Sequence, residues 1–435
     1  MVDKMKIKRR TFLKTGTIIG SSLMIGFHLP SCSGGDHNIP TKIKGNHDGF
    51  APNAWIKIQK DNTIIIMVSH SEMGQGIATT ISMIVAEELE ADWSKIQFEM
   101  EPVADIYKHP KYGIQWTVSS MSVHASWDRW RIAGASARHL LINAAAQLWG
   151  ANSADCIAEK SMVRHQPTGR TISYGELTDK TEDIKIPENI TLKKPHEFKI
   201  IGNSTLRLDS KVKVDGSAIF GIDVKLPNLL VAVVVHPPVF GSTVESYDSG
   251  KTKLMPGIHR VLAIETGVAI VADTFWQARK AMPTLEVKWQ IPPSNRIDSE
   301  LLFKRWKMLG QKKDGKIFHE KGDIKKEFNK TTKLVEATYD LPYQAHATPE
   351  PMNCTAHVKD TSCEIWVPTQ NPEGAQEVAA RITGLDYEQI TVHSTFIGGG
   401  FGRRALVDYV EEAVEISQKT KKPIKLIWPR EEDIR

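Results

Sequence analysis

The stretch Ile397-Gly398-Gly399-Gly400-Phe401-Gly402-Arg403-Arg404 is the part of this chain best equipped to meet a ligand with its backbone. Glycines let main-chain N–H groups approach a bound atom with no Cβ in the way, and two arginines add fixed charge and planar donors. The β-branched run 389–396 predicts a strand entering the loop, and the apolar period over 405–417 predicts a helix leaving it. A loop that opens a helix offers unpaired donors and partial positive charge, which suits an anion. The usual phosphate loops do not fit, because a Walker motif needs Gly-Lys-Ser/Thr here and a dinucleotide fingerprint needs its third glycine where Arg403 stands. A plain tight turn would use the same glycines.

A second loop has the same grammar. Residues 63–69 read as a strand, His70-Ser71-Glu72-Met73-Gly74-Gln75-Gly76 follows, and Ile77, Ile81, Ile84, Val85 and Leu89 then mark one face of a helix. Met-Gly-Gln-Gly and Gly-Gly-Gly-Phe-Gly resemble two pterin-contacting loops of the molybdenum hydroxylases, the xanthine dehydrogenase and aldehyde oxidase family. Between them, Glu364-Ile365-Trp366-Val367-Pro368-Thr369-Gln370-Asn371 resembles the segment whose glutamine approaches the oxo ligand of molybdenum, and Glu350-Pro351-Met352-Asn353-Cys354 is similar to the stretch before it.

The resemblance implies an α+β fold in which a hammerhead domain is inserted between parts of a molybdopterin-binding domain. It implies that Gln370 contacts the oxo ligand, that Gly399, Gly400, Phe401 and Gly402 line the cofactor, and that Gly74, Gln75 and Gly76 hold its phosphate or pterin edge. Ser120 and Ser122 are further candidates for the same anion, and Arg403 reaches either the phosphate, the substrate or only solvent. The cofactor implied by the resemblance is molybdopterin, as the bare pterin or a cytosine dinucleotide, with the metal held through it rather than by side chains. The implied reaction is hydroxylation of an N-heterocycle or an aldehyde with oxygen from water. Its electrons leave through iron-sulfur clusters on a small partner subunit toward a downstream acceptor.

Two departures stand out. The Met-Gly-Gln-Gly loop precedes the hammerhead, an order that resembles the isoquinoline 1-oxidoreductase type of large subunit. The family's catalytic glutamate, in a late Gly-x-Gly-Glu setting, belongs to a part that would follow the run 424–433, and Gly175-Glu176 in its own turn is not assigned to that role.

Around these loops, the chain reads as four parts. Residues 1–35 hold Lys8-Arg9-Arg10-Thr11-Phe12-Leu13-Lys14 before a modestly apolar run, the pattern of a twin-arginine export signal to the periplasm. Cys32, after Leu29-Pro30-Ser31, reads either as a lipid-attachment site or as an incidental leader residue. Residues 50–185 form an N-terminal cofactor-binding segment with a long helix from about residue 124 to 149. On that helix His124, Arg129, Arg131 and His139 read mainly as solvating side chains. Residues 209–290 read as the hammerhead, with strands at 217–224, 229–235, 258–265, 269–272 and 284–289 and a helix at 276–281. Residues 334–435 carry Gln370 and the triple-glycine loop.

Composition sets the remaining bounds. With 41% hydrophobic and 25% charged residues over 435 positions, the chain is that of an ordinary globular protein. The net charge of +5 sits in the leader, where six basic residues face one acid, leaving 50 basic and 50 acidic residues in the body. A neutral body argues against nucleic-acid binding. Cys156, Cys354 and Cys363 form no Cys-x-x-Cys pair, which excludes a familiar iron-sulfur or zinc site built by this chain alone. Two other readings stay open at this level: a fragment or split-gene product that acts only with a complementary chain, and an exported module that binds some other phosphate ligand.

Overall fold

The computed structural model describes residues 22–26 and 54–434, apart from 182, 183, 185, 186, 188, 296, 297, 313 and 314. Arg9, Arg10 and Cys32 lie outside the described residues. The first sheet has the order β1 (Ser22–Gly26), β2 (Ala54–Gln59), β3 (Ile64–Val68), β4 (Ile96–Met100). β3 is apolar at every position and buried throughout, as an inner strand must be. Its neighbour β4 runs parallel to it, so the chain crosses over between them through helix α1 (Ile77–Leu89). The long helix α2 (Ser122–Trp149) packs on α1, and Gly134 makes the approach possible: a Cβ there would lie 2.4 Å from the Val85 carbonyl oxygen. Gly150 ends α2 in the left-handed conformation, φ 61°, where glycine carries no steric cost. A small sheet of β5 (Cys156–Glu159), β6 (Met162–His165) and β7 (Thr171–Ser173) closes this part.

The strands that follow are β8 (Leu230–Val235), β9 (Thr243–Asp248), β10 (Ile258–Ile264), β11 (Gly267–Ala272) and β12 (Glu286–Gln290), with helix α3 (Phe275–Ala281) after β11. The last part has β13 (Asn353–Val358), β14 (Cys363–Val367), α4 (Pro372–Thr383), β15 (Ile390–Ser394), α5 (Asp408–Thr420) and β16 (Ile424–Ile427). One seven-stranded sheet joins the two sets in the order β10-β11-β8-β16-β13-β14-β15. Strands from residues 230–272 and 353–427 therefore share one hydrogen-bonded layer through the parallel pair β8 and β16. Ala375 and Ala379 of α4 and Tyr409, Val410, Ala413 and Val414 of α5 bury their apolar faces with β13, β14 and β16. Mixed strands with helices laid on them are the expected α+β class.

Two strand expectations change. Residues 217–224 form a single bridge, Phe220 to Phe396, and a turn at Gly221–Asp223 rather than a strand. The polar run of β9 was not expected to be a strand, and it is one because β12 supplies its pairing partner. Cys156, Cys354 and Cys363 are buried free thiols. Among the described residues no helix is long and apolar enough to cross a membrane, and no group of side chains could hold a metal ion.

Candidate functional site

Parallel strands bring their C-terminal ends to one edge, and β14 and β15 are parallel. That pairing delivers Gln370, three residues past β14, and the 397–402 loop, just past β15, to the same place. Gln370 is 3% exposed. Its Oε1 accepts from the Gly402 amide at 3.1 Å, and its Nε2 donates to the Thr117 carbonyl at 2.9 Å. The backbones join too, Thr117 N–H donating to the Gln370 carbonyl at 2.8 Å and Gln370 N–H to the Arg404 carbonyl at 2.9 Å. The first loop enters through Ser71, whose N–H donates to Thr117 Oγ1 at 2.9 Å, and through the Glu72 carbonyl, which accepts from Ile397 N–H at 3.1 Å. A Cβ on Gly400 would lie 2.5 Å from Gln370 Oε1 and 2.7 Å from Met73 Sδ. Both glycine loops and the glutamine thus meet at one point.

The loops owe their shape to two buried carboxylates that the sequence reading did not single out. Glu72, fully buried, accepts from the amides of Gly74 at 2.9 Å, Gly76 at 3.2 Å and Ala78 at 3.0 Å. The donors at the start of α1, expected to meet a ligand anion, are met by this internal one. Arg207 completes the brace, donating to the Gly74 carbonyl at 3.0 Å and to Glu72 at 3.2 Å. Asp209 holds Arg207 and Lys213 in turn; burial pushes its carboxyl up, but the two cations win and hold it at about 2. In the other loop Glu350 Oε2 accepts from Gly398 N–H at 2.8 Å, and Arg404, fully buried, donates to the carbonyls of Gly399, Pro368, Glu350 and Pro351. Each loop is held by one glutamate and one arginine. The available signal was position, since each carboxylate sits within the motif stretch it braces or the one quoted before it.

Several expected residues take other places. The helix after the triple-glycine loop begins at Asp408, not at residue 405; a single 3-10 turn, Arg403–Ala405, intervenes. Asp408 and Glu411 occupy the first turn of α5, so its partial charge is answered by its own acids. Arg403 pairs with Asp408 at 3.0 and 2.9 Å and stacks over Trp428 with 5.2 Å to the ring centroid. The Gln75 amide closes its own loop, accepting from Met73 N–H at 2.8 Å and donating to the Ser71 carbonyl at 2.9 Å. Ser120 is exposed in a left-handed conformation, φ 54°, and Ser122 opens α2. Arg129 and Arg131 do more than solvate α2: Arg129 donates to the Lys108 carbonyl, and Arg131 binds Glu88 at 2.9 and 2.7 Å.

What the cradle offers outward is backbone. No described residue accepts from the amides of Gly399, Gly400 or Phe401, and Gly400 is buried. Gly399 at φ 94° and Gly402 at φ 90° bend the loop around these donors, and Phe401 takes the less comfortable left-handed φ of 50° at its exposed tip. Three neighbouring donors, a close-approach glycine and no spare side-chain charge fit a group recognised by hydrogen bonds to its oxygens and nitrogens. Molybdopterin is such a group, and the residues present fit it.

Comparison with known proteins agrees. Residues 8–215 and 309–435 each match a model of a molybdopterin cofactor-binding domain. The chain is similar to the isoquinoline 1-oxidoreductase subunit beta of Brevundimonas diminuta, 29% identical over all of this chain and 60% of that protein. It is also similar to a membrane-bound aldehyde dehydrogenase (pyrroloquinoline-quinone) of Gluconacetobacter polyoxogenes, 30% identical over 99% of this chain and 57% of the relative. Among solved structures, quinoline 2-oxidoreductase from Pseudomonas putida 86 matches with a TM-score of 0.42 and 17% identity, covering 54% of this chain and 35% of that one. The chain spans about 60% of the length of these two curated relatives. From its paired cofactor-domain matches and these relatives, the chain belongs to the molybdopterin-binding large-subunit family of the xanthine dehydrogenase and aldehyde oxidase type.

Proposed function

We propose that this chain is the cofactor-holding portion of a molybdenum hydroxylase that acts on N-heterocycles or aldehydes. The observation that carries the reading is the meeting of Met73, Gln370 and Gly400 beside the unpaired amides of Gly399, Gly400 and Phe401. When bound, the cofactor supplies the two-electron redox chemistry, with oxygen drawn from water. The protein's part is to fix it and to polarise it. Gly399, Gly400 and Phe401 donate backbone hydrogen bonds, while Gln370 sets the loop at the required distance through Gly402. Gly74, Gln75 and Gly76, with Ser120, Ser122 and Arg403, are further candidates for holding the cofactor's phosphate or pterin edge.

Both substrate classes are carried by the relatives, one named for isoquinoline and the other for aldehydes. Electrons leave through iron-sulfur clusters on a small partner subunit, since the three described cysteines are buried free thiols. The cofactor form is the pterin or its cytosine dinucleotide. The Arg9-Arg10 leader sends the folded, loaded protein to the periplasm, with Cys32 as the lipid-attachment point. The test is to purify the chain from a host that makes the cofactor and to measure molybdenum and pterin together. Co-purification of both in the wild type and their loss in Gly400→Val support the reading. A metal-free protein from a competent host contradicts it.

A further inference from the structure

Behind the cradle lies a second polar site. A cavity of about 10 Å³, the room one water needs, is lined by Ser69, His70, Ser71, Glu101, Gln115 and Pro372. Ser71 and Pro372 are shared walls: Ser71 binds Thr117, and Pro372 stands two residues after Gln370. Glu101 is 4% exposed, and apart from the Tyr107 hydroxyl that faces it, its carboxylate oxygens meet no hydrogen-bond partner among the described residues. Ser126 Oγ and the indole N–H groups of Trp116 and Trp130 are also buried without partners among the described residues, and Trp130 meets the His70 ring edge-on at 5.5 Å. Native proteins rarely leave a buried carboxylate unpaired unless water or chemistry uses it.

We propose that this cavity is a proton-exchange site, in which a water held among Ser69, Ser71, Gln115 and Glu101 at the back of the cradle exchanges protons with the Glu101 carboxyl, and Glu101 passes them toward solvent. The proposal rests on the reading of the cradle as a hydroxylase site. That oxidation exchanges a C–H bond for a C–O bond from water and releases two protons with two electrons. The electrons go to the partner's clusters, and the protons need an exit. A carboxyl that ionises near neutral pH can release one proton outward and take the next from the cradle side.

The surroundings of Glu101 suit that task. Burial pushes its carboxyl up, the Tyr107 hydroxyl opposes the shift, Glu99 adds to it, and the result is about 8. His70 stays neutral, because burial first, then His109 and Arg129, hold it down at about 3. No full positive charge of its own therefore lies in the cavity wall to fix Glu101 as a carboxylate.

Glu101→Gln is the informative variant, being isosteric with the neutral acid and unable to ionise. It is examined in the complete holoenzyme with its cluster subunit, using isoquinoline or benzaldehyde and an artificial acceptor. The expected result is unchanged molybdenum and KM, a kcat lowered by about tenfold or more, and a larger solvent-deuterium isotope effect. Independently of turnover, the wild type alone should show the infrared band of a buried protonated carboxyl at pH 7. Its melting temperature should also fall relative to the variant as pH rises from about 4.5 to about 8, because the folded state alone holds that proton in this window. A fully loaded variant with wild-type kcat and isotope effect overturns the proposal, as does the absence of the infrared band. Absence of molybdenum from both proteins instead overturns the parent reading, and the proton role with it.

Discussion

Gln370 and Gly402 are joined by a 3.1 Å hydrogen bond from the glycine amide to the glutamine Oε1, so the side chain expected to face the cofactor also sets the curvature of the loop that holds it. Its Nε2 does the same for Thr117. Removing the side chain therefore unties two backbones at once. Gln370→Ala should cost about 1–3 kcal/mol for each buried group left unpaired. Thermal unfolding checks the stability loss, and metal analysis checks the accompanying fall in occupancy. A variant with wild-type melting and full occupancy would count against the clamp.

The glycines of the two loops should fail for different reasons. At Gly400 a Cβ would meet Gln370 and Met73 at 2.5 and 2.7 Å, so Gly400→Ala should cost about 1–3 kcal/mol through overpacking. At Gly74 a Cβ meets nothing within 4 Å, and the constraint is φ +98°. Gly74→Ala should therefore cost about 1–2 kcal/mol by strain alone. Combining Gly400→Ala with Met73→Ala should recover part of the first loss, while no neighbour truncation rescues the second. Double-mutant unfolding measurements test the difference.

The Glu72 brace should matter more than an exposed ion pair. Glu72→Ala leaves the Gly74, Gly76 and Ala78 amides without their acceptor, a loss of about 1–3 kcal/mol per donor that stays buried. Arg207 is 38% exposed, so its own contribution is screened and Arg207→Ala should cost less. Protease cleavage within 72–77 should accelerate in Glu72→Ala. Unchanged cleavage there would contradict the brace.

On the Trp428 ring that Arg403 also covers, His236 lies between Glu412 at 2.7 Å and Glu432 at 3.0 Å. Burial pushes the imidazole down, yet the two carboxylates win and raise it to about 9 from 6.5. Because the folded value is raised, the stability it contributes is complete below pH 6.5 and is lost as pH rises through about 9. Melting temperature against pH should decline over that window in the wild type, and the decline should flatten in His236→Gln.

Much of this arrangement could be read from the sequence because it is local. The all-apolar β3, the period of α1 and the glycine that stops α2 each declare themselves within a dozen residues. The meeting of Gln370 with both loops followed from motif resemblance, and the parallel pairing of β14 with β15 gives it a physical cause. The braces were not legible in the same way. Arg207 reaches Glu72 across 135 positions and Arg404 reaches the Glu350 carbonyl across 54, and no periodicity encodes such a pairing. The opening of a helix straight from the glycine loop was misread because the apolar pattern of α5 begins before its hydrogen bonding does. Arg403 was left open between the phosphate, the substrate and solvent, and Asp408, five residues on, takes its guanidinium.

The most direct test of the account is the molybdenum and pterin content of the full chain, purified from a host that synthesises the cofactor, beside Gly400→Val. The account predicts stoichiometric molybdenum and pterin in the wild type and loss of both in the variant, with circular dichroism showing that the variant remains folded. Equal metal in the two proteins, or none in the wild type, would contradict the claim that the loop at 397–402 and Gln370 form the cofactor cradle.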